Sequence, residues 1–228
     1  MKYSKTAPVK IVVLGAGGTG GYVIPHLYRL GYASEHPTRI IVCDGDVTEQ
    51  KNLIRQNFVE QDIGRNKAQV LAERYAAAFG IECEYRPEFI ETQEELYTLT
   101  EPDRVPYPME PQRVILLGCV DNNKSRQLCH RVFQQKRNLI YIDAGNGEHT
   151  GQVVCGVRQS GRTLYKPICF TDSGRYSHSI PKAAAYLSAS TCALFRPMSC
   201  STKFCRMRFF CSTTSPSQTR IRVGCSEA

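Results

Sequence analysis

The sequence predicts an α/β fold with a doubly wound, mostly parallel sheet and antiparallel strands at one edge. Three observations predict it. Short apolar runs alternate with segments of helical period. A glycine-rich loop, G-A-G-G-T-G-G at residues 15–21, joins the first apolar run to the first helical segment. Two later strand-like runs flank Gln159-Ser160-Gly161, which suits a hairpin turn.

Each element has its own reason. Residues 10–14 (KIVVL) form a short apolar run, read as a buried strand. Residues 22–30 follow with helical spacing, Val23, Leu27 and Leu30 sharing one side. Pro25 falls just past the first turn and is expected to distort that helix. Residues 39–43 (RIIVC) read as the second strand, ending at Asp44. Asp62 suits an N-cap for an Ala-rich helix over 63–79, which Gly80 closes. Residues 82–86 read as a strand. Four prolines within 101–113 mark a loop. Residues 114–117 form the next buried strand, Asn122 or Asn123 opens a helix to about residue 136, and residues 139–142 form another strand. Residues 151–157 and 162–165 make the hairpin. No internal repeat is present.

The chain has 228 residues, enough for one α/β domain or a domain with an appendage. No apolar run approaches the roughly 18 residues of a membrane span, and residues 1–10 lack the apolar stretch of a signal peptide. A cytoplasmic location without membrane contact is therefore expected.

The net charge of +8 is unevenly spread. After residue 181 there are seven Lys or Arg and one acid, Glu227. The basic character belongs to the tail, so no specific nucleic-acid partner is expected. Five of the eleven cysteines also lie there: Cys192, Cys200, Cys205, Cys211 and Cys225. No C-x-x-C pair occurs anywhere, so structural zinc is not predicted. The reading divides the chain into a domain over 1–181 and an atypical basic, Cys/Ser-rich tail over 182–228. Loss of acids, excess Cys and Ser, and loss of periodicity predict a disordered tail or one translated out of frame.

Gly15-Ala16-Gly17-Gly18-Thr19-Gly20 satisfies G-x-G-x-x-G between a strand and a helix. Gly15 permits the tight turn. Gly17 lets a phosphate approach the backbone. Gly20 lets helix and strand pack closely. The helix N-terminus then presents N–H groups and a positive dipole end to an anion. With Asp44, 24 residues past Gly20 and placed to accept ribose hydroxyls, this predicts a Rossmann-like nucleotide domain.

The next segment is more specific. Asp44-Gly45-Asp46 leads to Asn52-Leu53-Ile54-Arg55-Gln56, then to Asp62-Ile63-Gly64-Arg65-Asn66-Lys67, then to Val120-Asp121-Asn122 with Arg126. Arg55 offers a planar fork for phosphate oxygens, Lys67 a point charge, and Asp121 a hard oxygen ligand for Mg²⁺. Asn52 and Gln56 can hydrogen-bond phosphate or orient Arg55. Such a set suits attack of a carboxylate on a nucleotide phosphate, because cations must already sit where charge builds.

D-x-D, N-x-x-R-Q, D-I-G-x-x-K and V-D-N-x-x-x-R, in this order, resemble the signature of the ThiF/MoeB/E1 adenylyltransferase superfamily, over roughly residues 10–157. Within it the chain looks similar to small bacterial ThiF-like proteins. The resemblance implies ATP and Mg²⁺ as cofactors. It implies adenylation of the C-terminal carboxylate of a small ubiquitin-like or sulfur-carrier protein ending in Gly-Gly, with release of pyrophosphate. By resemblance Asp44 binds ribose; Asn52, Arg55 and Lys67 bind triphosphate; Asp121 holds magnesium; and Asp46 supports the loop or the metal. Gly15, Gly17, Gly18, Gly20 and Gln56 complete the nucleotide-binding set, and a homodimer is compatible with it. Asp143-Ala144-Gly145-Asn146-Gly147 is similar to the family's D-x-G segment, where a carrier tail passes.

Some family features are absent. There is no zinc site, and only about nine residues precede the first strand, where relatives carry a helical extension. Cys169, between Ile168 and Phe170, is a weak candidate for a nucleophile. Two other functions stay open at this point. A non-catalytic or truncated nucleotide- or partner-binding relative would bind ATP without turnover. An NAD-dependent oxidoreductase would share the glycine loop and Asp44, but would leave Arg55, Lys67 and Asp121 without a role.

Overall fold

In a computed structural model, residues 7–34, 36–104, 110–146, 151–167, 207–213 and 219–225 are described. Strand β1 (Val9–Leu14) runs into helix α1 (Gly18–Ala33), then β2 (Thr38–Cys43). Two short 3₁₀ turns, Gln50–Asn52 and Glu60–Asp62, precede α2 (Lys67–Phe79). Then come β3 (Glu84–Arg86), α3 (Gln93–Leu99), β4 (Arg113–Gly118), α4 (Asn123–Gln135) and β5 (Leu139–Asn146). Strands β6 (Gly151–Gln159) and β7 (Arg162–Tyr165) end the sheet.

The sheet order is β3-β2-β1-β4-β5-β6-β7. β3, β2, β1, β4 and β5 pair in parallel; β6 and β7 add antiparallel to one edge. The predicted fold class is the one observed. The chain leaves β1 toward β2 on one side and returns to β4 on the other. That reversal opens a crevice at the C-terminal ends of β1 and β4, where open α/β sheets bind ligands.

Both faces of the central strands are buried, which is why they read as continuous apolar runs rather than alternating ones. Val12, Leu14, Ile41, Cys43, Leu116 and Tyr141 pack with Leu96 of α3 and Leu128, Val132 and Phe133 of α4. Ile11, Val13, Ile40 and Val42 alternate with them and are equally buried. Helices α1 and α2 pack together and against β2.

Several local expectations are corrected. The second helix starts at Lys67, because Asn66 caps it by accepting the Gln69 N–H at 3.0 Å. Asp62 lies instead in a 3₁₀ turn, where its carboxylate accepts Val59 N–H and two bonds from Arg74. Helix α1 begins at Gly18 and runs unbroken through Pro25, held by the buried Ile24, Leu27 and Tyr28. Helix α3 was not foreseen: it has seven residues, of which only Leu96 is buried. Gly80 closes α2 in the left-handed conformation, as expected. The hairpin turn is Ser160-Gly161, both at positive φ, the twist that two-residue hairpins require.

The chain divides into two compact units, Met1–Arg175 and Tyr176–Ala228. In the second, β8 (Met207–Thr213) pairs antiparallel with β9 (Thr219–Cys225). The sequence reading placed no strand there. Apolar residues alternate at 221, 223 and 225, but Phe210 breaks the alternation of 207, 209 and 211. Among the described residues no helix is long and apolar enough to cross a membrane.

Candidate functional site

The glycine loop lies at the C-terminal end of β1, and four of its five glycines divide into two kinds. Gly15 has φ +94°, and a Cβ there would lie 2.6 Å from the Cys119 carbonyl oxygen. A Cβ on Gly20 would lie 1.9 Å from the Gly15 carbonyl oxygen. The fold itself demands these two. Gly18 has open space around it, and a Cβ on Gly17 would meet only the Gln56 side-chain amide, at 3.7 Å. Packing does not explain their lack of side chains. They bound an open cradle at the start of α1, where Gly17 supplies no side-chain cap and the first turn carries no acid. The helix's first N–H groups have no partner within the helix and favour an anion.

Asp44 ends β2 and is buried. Its Oδ2 accepts the Ala16 N–H at 2.6 Å and its Oδ1 the Asp46 N–H at 2.9 Å. Burial pushes its carboxyl up, and these two bonds and Lys67 oppose that. Asp44 is thus a brace between β2 and the glycine loop, a role the sequence did not suggest. Only the remaining lone pairs of its two oxygens are left for a ribose.

Lys67 is also committed. Its side chain is 7% exposed and its Nζ donates to Asp46 Oδ2 at 2.9 Å. Asn66 ties the same loop together, donating to the carbonyls of Asp44 and Asp46. Asp44, Asp46, Asn66 and Lys67 therefore form one network under the loop, with the Asp46 carboxylate half exposed at its rim.

The N-x-x-R-Q segment lies along the first turn of α1. Asn52 is buried, and its Oδ1 accepts the Glu49 N–H at 2.8 Å, closing the 3₁₀ turn. Asn57 Nδ2 donates to the Gly21 carbonyl at 3.0 Å. Between them, the Gln56 amide reaches Gly17, and its buried Oε1 has no hydrogen-bond partner among the described residues. Arg55 is exposed and pairs with no described residue.

Asp121 follows β4 at the same end of the sheet, next to Val120, whose side chain would touch a Cβ on Gly15. It is exposed and pairs with no described residue. Asn122 caps α4, accepting the Ser125 N–H at 2.8 Å, so Asp121 is not needed as the cap.

Two residues behind Asp121 had no assigned role in the sequence reading. Arg126 Nη2 donates to the Val120 carbonyl at 2.8 Å, and its Nε lies 3.6 Å from Asp143 Oδ2. Asp143 is 2% exposed. Burial pushes its carboxyl up to about 6, with Arg126 opposing. Residues 143–146 continue β5 beyond the strand expected over 139–142, paired with β6 from Asp143↔Val154 to Asn146↔Gly151. Gly147 and Cys169 lie outside the described residues.

Among the described residues, no three His, Cys, Asp or Glu side chains converge as a metal cage. That is compatible with Mg²⁺, which keeps several waters and takes one or two carboxylates together with substrate phosphates. The open cradle at Gly17 and Gly18, the Gln56 Nε2 donor beside it, and Arg55 and Asp121, which meet no partner among the described residues, suit a nucleotide phosphate chain with its cation.

Residues 2–195 match the ThiF family. Over 65 residues the chain is 42% identical to the NEDD8-activating enzyme E1 catalytic subunit of Saccharomyces cerevisiae, covering 28% of this chain and 20% of that subunit. Among solved structures, PaaA superposes with a TM-score of 0.53 at 17% identity, covering 98% of this chain and 65% of that one. MccB of E. coli, crystallised with AMPCPP and MccA, superposes with a TM-score of 0.51 at 23% identity, covering 83% of this chain and 48% of that one. These structural likenesses show the shared fold. The chain spans about one fifth of the curated relative it matches and less than two thirds of either structure.

Proposed function

The chain belongs to the ThiF family, and on that premise we propose that it adenylates the C-terminal carboxylate of a small ubiquitin-like or sulfur-carrier protein, using ATP with Mg²⁺. The observation that carries this reading is the pairing pattern at the C-terminal end of the sheet. A cradle bounded by Gly17 and Gly18 adjoins the Gln56 Nε2 donor, and Arg55 and Asp121 stand exposed without partners among the described residues. The MccB structure containing a nucleotide analogue and the peptide MccA, and the E1 subunit's action on NEDD8, support a nucleotide and a polypeptide acyl group as substrates.

In this reading the α1 N-terminus and the loop N–H groups hold phosphate oxygens. Arg55 binds them through its guanidinium fork, and Gln56 orients that group. Asp44 keeps the loop in place through Ala16 and retains lone pairs toward the ribose. Asn52 holds the 3₁₀ turn that presents Arg55. Lys67 would add positive charge by turning from Asp46 to a phosphate, and Asp46 would support the loop or the metal. Asp121 would hold Mg²⁺, whose chemistry is to neutralise phosphate charge. The acyl carboxylate oxygen bonds to the α-phosphorus, the bond from that phosphorus to the bridging oxygen breaks, and pyrophosphate leaves with the electron pair. No proton need move in this step, so the residues act by positioning and electrostatics.

The test is exchange of labelled pyrophosphate into ATP, with Mg²⁺ and a panel of small Gly-Gly-terminated proteins. Exchange that depends on the carrier's terminal glycine and is lost in Asp121→Ala is the expected result. ATP binding without exchange for any carrier in the panel would replace this reading with that of a non-catalytic nucleotide-binding relative.

A further inference from the structure

The proposed site uses Asp121, but nothing in that proposal explains why an arginine and an aspartate are buried directly behind it. Arg126 is 5% exposed and Asp143 is 2% exposed. Burying two charged groups is costly unless they are paired and hydrogen-bonded. Their contacts point in one direction. Asp143 projects from the end of β5, into room left by the missing side chain of Gly118, where a Cβ would lie 2.7 Å from Asp143 Oδ1. Its Oδ2 faces Arg126 Nε from α4 at 3.6 Å. The same guanidinium, through Nη2, grips the carbonyl of Val120 at 2.8 Å. Val120 is the residue before Asp121, and its side chain also abuts the position of Gly15. One buried guanidinium thus links the sheet (β5), the helix (α4) and the turn that carries Asp121.

We propose that the Arg126–Asp143 pair is a strut that sets the position of the Val120–Asp121 turn, making both of them positioning residues for the cation ligand Asp121. The proposal rests on the reading of Asp121 as that ligand. The physical logic is that of any metal site: a carboxylate on a loop binds a cation well only when a second layer of contacts holds the loop still. Asp121 itself is exposed and pairs with no described residue, so its own side chain does not fix it. The backbone grip at Val120 does so, and that grip is aimed by Asp143. The other ionisable groups around Asp143 are the thiols of Cys129 on α4 and Cys119 after β4; burial pushes both up, so they stay neutral and leave Arg126 as the one charge facing Asp143 among the described residues.

The experiment measures ATP affinity of the full chain with Mg²⁺ and again with EDTA; the ratio is the magnesium-dependent gain. The variants are Asp121→Asn, Asp143→Asn, Arg126→Lys and the double variant Asp121→Asn/Asp143→Asn. Arg126→Lys keeps the charge but cannot span Asp143 and the Val120 carbonyl together, so it tests the strut even if Asp143→Asn does not fold. Asp121→Asn is expected to abolish the gain. Asp143→Asn and Arg126→Lys are each expected to cut it about tenfold, the usual effect of losing a supporting contact, with affinity in EDTA unchanged. The double variant is expected to match Asp121→Asn alone. If Asp121→Asn abolishes the gain while Arg126→Lys and Asp143→Asn keep it, the strut is wrong and the ligand assignment survives. If Asp121→Asn leaves the gain intact, the ligand assignment itself falls, and the strut with it.

Discussion

The two ends of the central sheet treat their charges differently. At the N-terminal end, Lys10 of β1 donates to Asp103 at 3.1 Å and to the Glu101 carbonyl at 2.9 Å. Arg39 of β2 pairs with Glu84 of β3 and with Asp103. Lys136 pairs with Glu101 and lies 3.6 Å over the Tyr97 ring. These groups close on one another and clamp the connection between α3 and β4 to the strand ends. At the C-terminal end, Arg55 and Asp121 face solvent with no partner among the described residues, beside an open glycine cradle. A charge that holds the fold is found with its partner in place. Arg55 and Asp121, which the proposed reading keeps for a ligand, stand without a partner among the described residues, while Lys67 at the same end is paired with Asp46.

That contrast can be broken by mutation. The largest effect is expected at the open end. Asp121→Ala and Arg55→Ala should each weaken ATP binding in Mg²⁺ roughly 100-fold, with the melting temperature within about 2 °C of the parent, as for ordinary surface substitutions. Calorimetry with parallel thermal melts checks both. If either variant melts well below the parent, its charge belongs to the fold, and the contrast fails.

Two carboxylates, Asp143 and Asp103, should answer pH in opposite senses. Asp143 is raised from the usual value to about 6. Its contribution to stability is full below pH 4 and lost as pH rises through about 6, by up to roughly 3 kcal/mol at 1.36 kcal/mol per unit. Urea unfolding from pH 4 to 7 should show this decline in the parent and a flatter profile in Asp143→Asn.

At the other end the sign reverses and the size is smaller. Burial tends to raise Asp103, but hydrogen bonds from Arg39, Gln112 and Lys10 outweigh it and hold the carboxyl down at about 2. Its contribution is present above pH 4 and is lost as pH falls through about 2. Its side chain is about a third exposed, so screening reduces the amount to about 1 kcal/mol. Asp103→Asn should lose that amount at neutral pH and unfold in acid with a shallower dependence. Equal acid sensitivity of parent and variant would show that the clamp is not electrostatic.

The smallest change in stability is expected at Gly18. Its φ is not positive, and a methyl would meet nothing within 4 Å. Gly18→Ala should leave the unfolding free energy unchanged or raise it by about 0.4–1 kcal/mol, while ATP affinity falls because the methyl enters the cradle. Undiminished affinity would mean that the phosphate chain does not pass there.

The fold class was legible because strands buried on both faces write uninterrupted apolar runs, and because G-x-G-x-x-G marks a strand-to-helix turn. The start of α2 was misread at Asp62 because Asp and Asn are both good caps; the choice of Asn66 follows from its side chain also bonding the Asp44 and Asp46 carbonyls across the loop. Helix α3 escaped because seven residues with a single buried side chain write no period. The candidate site residues were readable as types in order. Which tail residues pair as β8 and β9 was not, since Phe210 breaks the alternation in the first of them.

The sequence by itself determined the sheet's parallel character, the glycine turn and the order of the charged motifs, because these depend on periodicity and on local steric demands at single positions. Only the tertiary structure decided what each charge does. Asp44 braces Ala16, Lys67 meets Asp46, and Arg126 joins Asp143 to Val120, whereas Arg55 and Asp121 meet no described residue. The physical reason is distance along the chain. These partners lie from six to twenty-eight residues apart and usually on different elements, so no local spacing encodes the pairing; it exists only once the strands have set the loops side by side.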